Sequence, residues 1–205
     1  MIIILLLTFL LDVYSYNICV VGAGGGLGRE IVYQGLKNKN FKVLALTGKN
    51  KAIYEPFRGD GFNDITDTPP IIDTKLKIDN YWRNITDDYE NIIFCTGCGP
   101  FEKDYSYGLM EKILVNISPK CKSISLISAY GVGDSLKDSN LGIEIMNSWY
   151  LRDAYKAKNK QEKFLESFNG NIKKNIYRPK ALSYGNTFLE STSRFDLASE
   201  ILDNL

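Results

Sequence analysis

The sequence predicts a doubly wound α/β fold built on a mostly parallel sheet. Three observations favour it: short apolar runs recur along the chain, helical apolar stripes lie between them, and a glycine cluster joins the first run to the first stripe. The chain has 205 residues, of which 44% are hydrophobic and 24% charged, as is typical of a globular domain. We therefore expect one domain over residues 17–205, preceded by an apolar leader over residues 1–16.

The leader contains the apolar run IIILLLTFLL at residues 2–11. This run is too short for a transmembrane helix but matches the hydrophobic region of a signal peptide, with the small residue Ser15 close behind it. No Lys or Arg precedes the run, so an extension packed on the domain remains the alternative. A cleaved or anchoring leader predicts a secretory or organelle-targeted protein, whereas a packed extension predicts a cytoplasmic one.

The predicted strands are Ile-, Val- and Leu-rich runs that are too short for helices. Such runs are typical of strands buried on both faces of a parallel sheet. They lie at residues 17–22, 42–47, 75–78, 91–95, 123–128 and 174–178.

The predicted helices carry apolar residues at three-to-four spacing. The longest helix candidate spans 148–168, and Ser193 with Asp196 predicts the capped start of the last helix. Residues 55–74, rich in Pro, Gly and Asp, predict a long loop. The helical stripes are Leu27, Ile31 and Leu36, then Leu109, Ile113, Leu114 and Ile117, and finally Leu197, Ile201 and Leu205.

Composition excludes several kinds of site. The chain has no histidine, which removes His-based acid–base catalysis, Ser-His-Asp triads and His-ligated metals. A net charge of +1 gives no electrostatic case for nucleic acid or an anionic membrane. Cys95 and Cys98 have the spacing of a redox pair or of half a zinc site, but no second such pair exists, so we expect no metal.

The glycine cluster after the first predicted strand is the most informative motif. Its spacing is Gly22-x-x-Gly25-x-x-Gly28, with Gly26 and Leu27 at the start of the first helix. Glycine suits a tight turn whose backbone a pyrophosphate must approach, and the helix N-terminus then presents N–H groups to the phosphates. The motif therefore indicates a dinucleotide site, with a ligand-free tight turn as the alternative.

The end of the second predicted strand bears on cofactor choice. An NAD site places Asp or Glu there for the ribose hydroxyl, but this chain has Thr47, Lys49 and Lys51. Arg29 also lies near the start of the first helix. These residues favour NADP over NAD because they suit a 2′-phosphate, and ordinary surface solvation is the alternative role for the lysines.

Several motifs in order resemble an atypical short-chain dehydrogenase/reductase of the NmrA-like NAD(P)-binding group. They are the glycine spacing, Ile127-Ser128-Ala-Tyr-Gly131, Lys158-Asn-Lys-Gln-Glu162, Tyr177-Arg178-Pro179 and the run Thr192-Ser-Arg194-Phe-Asp196-Leu197-Ala198. The resemblance covers about residues 17–205 and implies a Rossmann-like NAD(P)-binding fold.

The resemblance also implies roles for individual residues. Ser128, Tyr155 and Lys158 are the catalytic candidates, with Ser128 at the substrate carbonyl and Lys158 on the nicotinamide ribose. Active relatives carry a tyrosine four residues before this lysine, where the chain has Ala154, so Tyr155 is the substitute on the same helix face. The implied cofactor-binding residues are Gly22, Gly25, Gly26, Leu27, Gly28, Arg29, Thr47, Lys49, Cys95, Thr96, Gly97, Lys158 and Arg178.

Two classes of function follow. The first is an NADP-dependent oxidoreductase that transfers hydride to a carbonyl or quinone-like acceptor. The second is a non-catalytic NADP-binding protein such as a redox sensor, assembly factor or regulatory protein. The expected partners are the nucleotide and an unidentified small molecule, without nucleic acid or metal, and a homodimer or protein partner remains open.

Overall fold

The computed structural model describes residues 16–38, 41–47, 71–73, 89–97, 106–138, 149–183 and 191–205. Six strands in these ranges form one parallel sheet in the spatial order β3-β2-β1-β4-β5-β6, which is the strand order of Rossmann folds. Their bounds are β1 (Tyr16–Val21), β2 (Phe41–Thr47), β3 (Ile71–Asp73), β4 (Asn91–Phe94), β5 (Ser123–Ile127) and β6 (Lys173–Tyr177). The predicted doubly wound fold class is confirmed.

Four helices and a small second sheet complete the described fold. The helices are α1 (Gly26–Lys37), α2 (Ser106–Val115), α3 (Arg152–Ser167) and α4 (Arg194–Asp203). A short 3-10 helix covers Gly133–Asp138, and β7 (Ala181–Ser183) pairs in parallel with β8 (Ser191–Ser193). In the described residues no helix is long and apolar enough to cross a membrane.

The sheet is covered on both faces, as its apolar strands predict. On one face α1 and α4 pack through Ile31 and Ile201 against Val20 and Ile93. On the other face α2 and α3 pack through Ile113 and Leu165 against residues of β1, β4 and β5. The predicted start of the last helix is also observed, because the Ser193 hydroxyl accepts a hydrogen bond from the backbone N–H of Asp196.

One predicted loop contains a strand. Residues 71–73 lie within the predicted loop at 55–74, yet they form β3 and pair with β2 in the register Ala45↔Ile71 to Thr47↔Asp73. The loop prediction is therefore wrong for these residues, because a partner strand supplies a ladder that local composition does not reveal. The predicted strand at 75–78 and nearly all of the leader lie outside the described residues.

Candidate functional site

The glycine turn lies where the strand order reverses, between β1 and β4. In open α/β sheets this switch point forms a crevice at the carboxyl ends of the strands. The N–H groups of Gly22 and Ala23 both donate to the Leu46 carbonyl, at 2.9 and 3.0 Å. The N–H of Cys95 donates to the Val21 carbonyl at 2.7 Å, which brings the end of β4 against the turn.

Two glycines of the turn are required by the packing of the protein itself. Gly22 has φ +89°, and a Cβ there would lie 2.9 Å from the Cys95 carbonyl carbon and the Thr96 nitrogen. A Cβ on Gly28 would lie 2.9 Å from Cα of Ala23 and would overlap the Gly22 carbonyl oxygen. Side chains at either position therefore push apart backbone segments that cannot yield.

Gly25 is different, because the protein does not require a glycine there. It is exposed, and a Cβ would meet its nearest neighbour, the Gly22 carbonyl oxygen, at an ordinary 3.4 Å. Gly25 is the N-cap of α1, no side chain caps this end, and the first turn contains no acidic residue. The N–H groups of Gly26, Leu27 and Gly28 thus begin a helix open to an anion, as a pyrophosphate cradle needs.

Lys158 reaches the same edge of the sheet from α3. Its side chain is 9% exposed. The ammonium donates to the Ile127 carbonyl at 2.7 Å and to the Thr96 carbonyl. Ile127 ends β5 and Thr96 follows β4, so the predicted lysine lies between two strand ends, and backbone oxygens accept hydrogen bonds from the buried cation.

Two buried hydroxyls beside Lys158 have no hydrogen-bond partner. They are Oγ of Ser128 and Oγ1 of Thr96. Ser128 directly follows β5, and its backbone N–H donates to the Tyr177 carbonyl at 2.8 Å. A buried polar atom left unpaired costs about 1–3 kcal/mol, so these hydroxyls fit a site that binds a polar ligand.

Tyr155 does not reach Ser128 by a hydrogen bond. Its hydroxyl donates to the backbone carbonyl of Tyr130 at 3.1 Å. Burial raises the pKa of Tyr155, and no cation contributes to that shift. Lys158 and Tyr155 share a helix face as predicted, but the lysine does not acidify this tyrosine here.

Arg178, one of the predicted cofactor-binding residues, forms an ion pair with Glu162 of α3. Its Nε and Nη2 donate to the two carboxylate oxygens of Glu162 at 3.1 and 2.9 Å. The Glu162 side chain is 1% exposed, against 22% for Arg178. Hydrogen bonding to Glu162 raises the pKa of Arg178 further. The ion pair between Arg178 and Glu162 thus links the end of β6 to α3.

Gly133 completes this arrangement. It has φ +55°, and a Cβ there would lie 3.1 Å from Nη2 of Arg178 and would overlap the Glu162 carboxylate. The loop after β5 thus crosses directly over the ion pair. Neither Glu162 nor Gly133 was predicted as a site residue, although a glutamate on the buried helix face is a signal that a cation faces it.

Three of the remaining predicted residues, Thr47, Arg29 and Gly97, are described, and they lie on the elements that adjoin the turn. Thr47 ends β2, is buried, and stands in register with Asp73, which places an acidic residue at the end of the neighbouring strand. Arg29 lies in the first turn of α1, and Gly97 follows Thr96. Lys49, Lys51 and Cys98 lie outside the described residues.

The thiol of Cys95 is not activated. Burial raises its pKa to about 12, although the nearby Lys158 charge opposes that shift. Cys95 is partly buried, whereas Cys19 and Cys121 are buried, and burial raises the pKa values of these two thiols too. In the described residues no group of three or more His, Cys, Asp or Glu side chains is placed to hold a metal ion.

The sheet order and the glycine turn together define a Rossmann-like fold. Comparison with solved structures agrees with this fold. ChuY, an anaerobillin reductase from Escherichia coli O157:H7, superposes with a TM-score of 0.66 at 17% identity, over 91% of this chain and 89% of that chain.

Two further structures contain the nucleotide. A wide-type short-chain dehydrogenase/reductase from Veillonella parvula in complex with NADP has a TM-score of 0.68 at 14% identity, over 92% of this chain and 86% of that chain. A short chain dehydrogenase from Burkholderia cenocepacia in complex with NADP has a TM-score of 0.62 at 15% identity, over 95% of this chain and 85% of that chain. No family model and no curated protein matches the chain. At such low sequence identity, the structural similarity shows the fold alone.

Proposed function

We propose that the chain binds NADP at the switch point and is an oxidoreductase that transfers hydride to a carbonyl or quinone-like acceptor. The observation that carries the proposal is the convergence of three features: the open N-terminus of α1, the buried Lys158 ammonium and the unpartnered Ser128 hydroxyl. The neighbours that contain NADP or are named as reductases support it.

In this proposal the glycine turn binds the phosphates. The N–H groups of Gly26, Leu27 and Gly28 donate to the pyrophosphate, and exposed Gly25 leaves room for its approach. Cys95, Thr96 and Gly97 border the ribose at the end of β4. Lys158 binds the nicotinamide ribose, and the two carbonyls that hold it keep its ammonium at this edge.

The cofactor and the chain supply different parts of the reaction at the acceptor. When bound, the reduced nicotinamide supplies the hydride. The Ser128 hydroxyl donates a hydrogen bond to the acceptor oxygen and so orients the carbonyl. Tyr155 gives the proton, which it carries at neutral pH as any tyrosine does, although burial raises its pKa and so makes it a weaker acid. Before that transfer its hydroxyl must leave the Tyr130 carbonyl.

The preference for NADP rests on basic and hydroxyl residues at the adenosine end. Thr47, Arg29 and Lys49 are the candidates for the 2′-phosphate.

A second candidate function is a non-catalytic NADP-binding redox sensor, assembly factor or regulatory protein. One observation favours it: the Tyr155 hydroxyl is bound to Tyr130 and is not acidified by Lys158. Such a protein binds the nucleotide by the same residues but does not oxidise it.

A titration of the full chain with NADPH and NADH, followed by nicotinamide fluorescence, tests the binding site. We expect NADPH to bind more tightly than NADH, and Lys158→Ala to weaken NADPH binding. Lys163→Ala, which removes an exposed lysine from the same helix, is the matched control. If neither nucleotide binds to the folded protein, both candidate functions fail.

NADPH oxidation with carbonyl and quinone acceptors then separates the two functions. For an oxidoreductase, Tyr155→Phe lowers kcat by roughly 10²-fold or more, as expected for loss of a general acid, and leaves NADPH affinity unchanged. If NADPH binds but no acceptor is reduced, the regulatory function replaces the catalytic one.

A further inference from the structure

A cavity of about 450 Å³ opens between the first turns of α3 and the loop after β5. Its wall is formed by residues 131–133 and Leu136 on the loop side, and by Arg152, Tyr155, Lys156 and Asn159 on the helix side. A larger cavity, of about 560 Å³, lies at the far end of α1 beside Lys37, away from the glycine turn. The first cavity is therefore the one that the proposed chemistry reaches.

Tyr155 connects this cavity to the switch point. Its hydroxyl donates to the Tyr130 carbonyl, and Gly131 of the cavity wall follows directly in the chain. Ser128, the residue proposed to orient the acceptor, lies three residues before Gly131. An acceptor whose reacting carbonyl lies at Ser128 thus extends along the loop into the cavity.

The charged side chains among the described residues of the cavity wall are both cationic. Arg152 and Lys156 are four residues apart on α3, so they lie on the same helix face. Both are exposed, the described residues that line the cavity include no carboxylate, and the ion pairs found in the described ranges involve neither of them. Asp134 on the loop acts on the Arg178 guanidinium.

The rest of the wall is largely apolar. Leu136 is 49% exposed, Val132 is buried beneath the loop, and the Tyr155 ring is half-buried. An apolar wall with two cations matches a molecule that has an apolar body and an anionic group.

We propose that this cavity binds the hydride acceptor, and that the acceptor is an organic anion whose carboxylate is held by Arg152 and Lys156 while its apolar ring body lies against Leu136 and Tyr155. This inference rests on the proposed oxidoreductase function and names the substrate class of that same site.

Binding of a matched pair of non-reacting probes tests the cavity independently of turnover. The probes are 2-naphthoate and its uncharged analogue 2-naphthamide, with binding followed by naphthyl fluorescence. We expect naphthoate to bind more tightly than naphthamide. Arg152→Ala and Lys156→Ala should each weaken naphthoate binding by roughly fivefold, the upper range for an exposed ion pair, and leave naphthamide binding unchanged.

Lys163→Ala is the charge-matched control. Residue 163 lies seven positions beyond Lys156 on α3, about 10 Å along the helix, and is not part of the cavity wall. If this variant weakens naphthoate binding as much as Lys156→Ala does, the effect is general electrostatics and the proposed site is wrong. Equal affinity of the wild-type protein for the two probes also overturns it.

Turnover extends the test to the acceptor. With NADPH, 6-formyl-2-naphthoate should have a higher kcat/KM than 2-naphthaldehyde, and Arg152→Ala should remove the difference by raising KM. If both aldehydes are reduced equally, the substrate assignment fails while the oxidoreductase proposal stands. If naphthoate binding depends on Arg152 and Lys156 but NADPH does not bind, the anion site stands and the oxidoreductase proposal fails.

Discussion

The ion pair between Glu162 and Arg178 gives the sharpest stability prediction, because its two partners differ in burial. Arg178→Met leaves the Glu162 carboxylate, 1% exposed, without its counter-charge. Removal of one partner from a buried pair costs about 3–5 kcal/mol. For a chain of this size that loss lowers Tm by roughly 10 °C. Glu162→Gln leaves a guanidinium that is 22% exposed and therefore partly hydrated, so we expect a smaller loss, of about 1–3 kcal/mol.

Urea denaturation of the full chain measures both losses, and acid provides an internal check. In Arg178→Met the buried carboxylate is relieved by protonation, so the deficit relative to wild type should shrink as the pH falls. The double variant Glu162→Leu/Arg178→Met should recover much of the stability lost in Arg178→Met. Equal losses for the two single variants, or a deficit independent of pH, would refute the reasoning from burial.

Four further predictions concern the core and the turn. Gly22→Ala forces a Cβ to within 2.9 Å of the Cys95 and Thr96 backbone at φ +89°, so nucleotide titration and thermal melting should show lost binding and a lower Tm, whereas unchanged binding would contradict the cradle. Gln161 is fully buried and neither polar atom of its carboxamide has a partner, so Gln161→Met should raise the unfolding free energy in urea by about 1 kcal/mol; a loss instead would mean that the carboxamide is satisfied. Ser193→Ala removes the cap of α4 and should cost about 1 kcal/mol, as measured against the control Ser199→Ala, at a half-buried position inside the same helix. Burial raises the pKa of Cys95 to about 12, so its thiol binds its proton more tightly in the folded state and the folding stability should fall as the pH rises above about 9. Mass spectrometry should find Cys95 unlabelled by iodoacetamide at pH 8, whereas rapid labelling would contradict the raised pKa.

The sequence predicted most of the fold because its strands are buried on both faces. Runs such as residues 42–47 and 123–128 are apolar because helices cover both sides of the sheet, and they agree closely with β2 and β5. β3 was missed because a three-residue edge strand derives its structure from the ladder with β2. Its own residues follow two prolines and carry turn-forming neighbours, which predict a loop.

Site residues were predictable from the sequence where the backbone geometry allows only one residue type. They were less predictable where a side chain can form hydrogen bonds with several different partners. Gly22 and Lys158 were predicted to bind the cofactor, and the structure places both at the carboxyl edge of the sheet, which leaves the binding itself a prediction. The partner of Arg178 was not foreseen, because the nearest carboxylate lies on another element, 16 residues away in the chain. The hydroxyl direction of Tyr155 depends on a loop carbonyl, which no spacing rule reveals.

The buried face of α3 has a consequence for how the chain assembles. Lys158 needs the carbonyls at the ends of β4 and β5, and Glu162 needs the guanidinium at the end of β6. When α3 is undocked, these charges remain hydrated. When α3 docks against an incomplete sheet, at least one of these charges is buried without its partner. The helix and these three strands should therefore form one cooperative unit, in which amide hydrogens of β4, β5 and α3 exchange with a common opening free energy. The buried charges of α3 thus also destabilise partly assembled forms of the sheet.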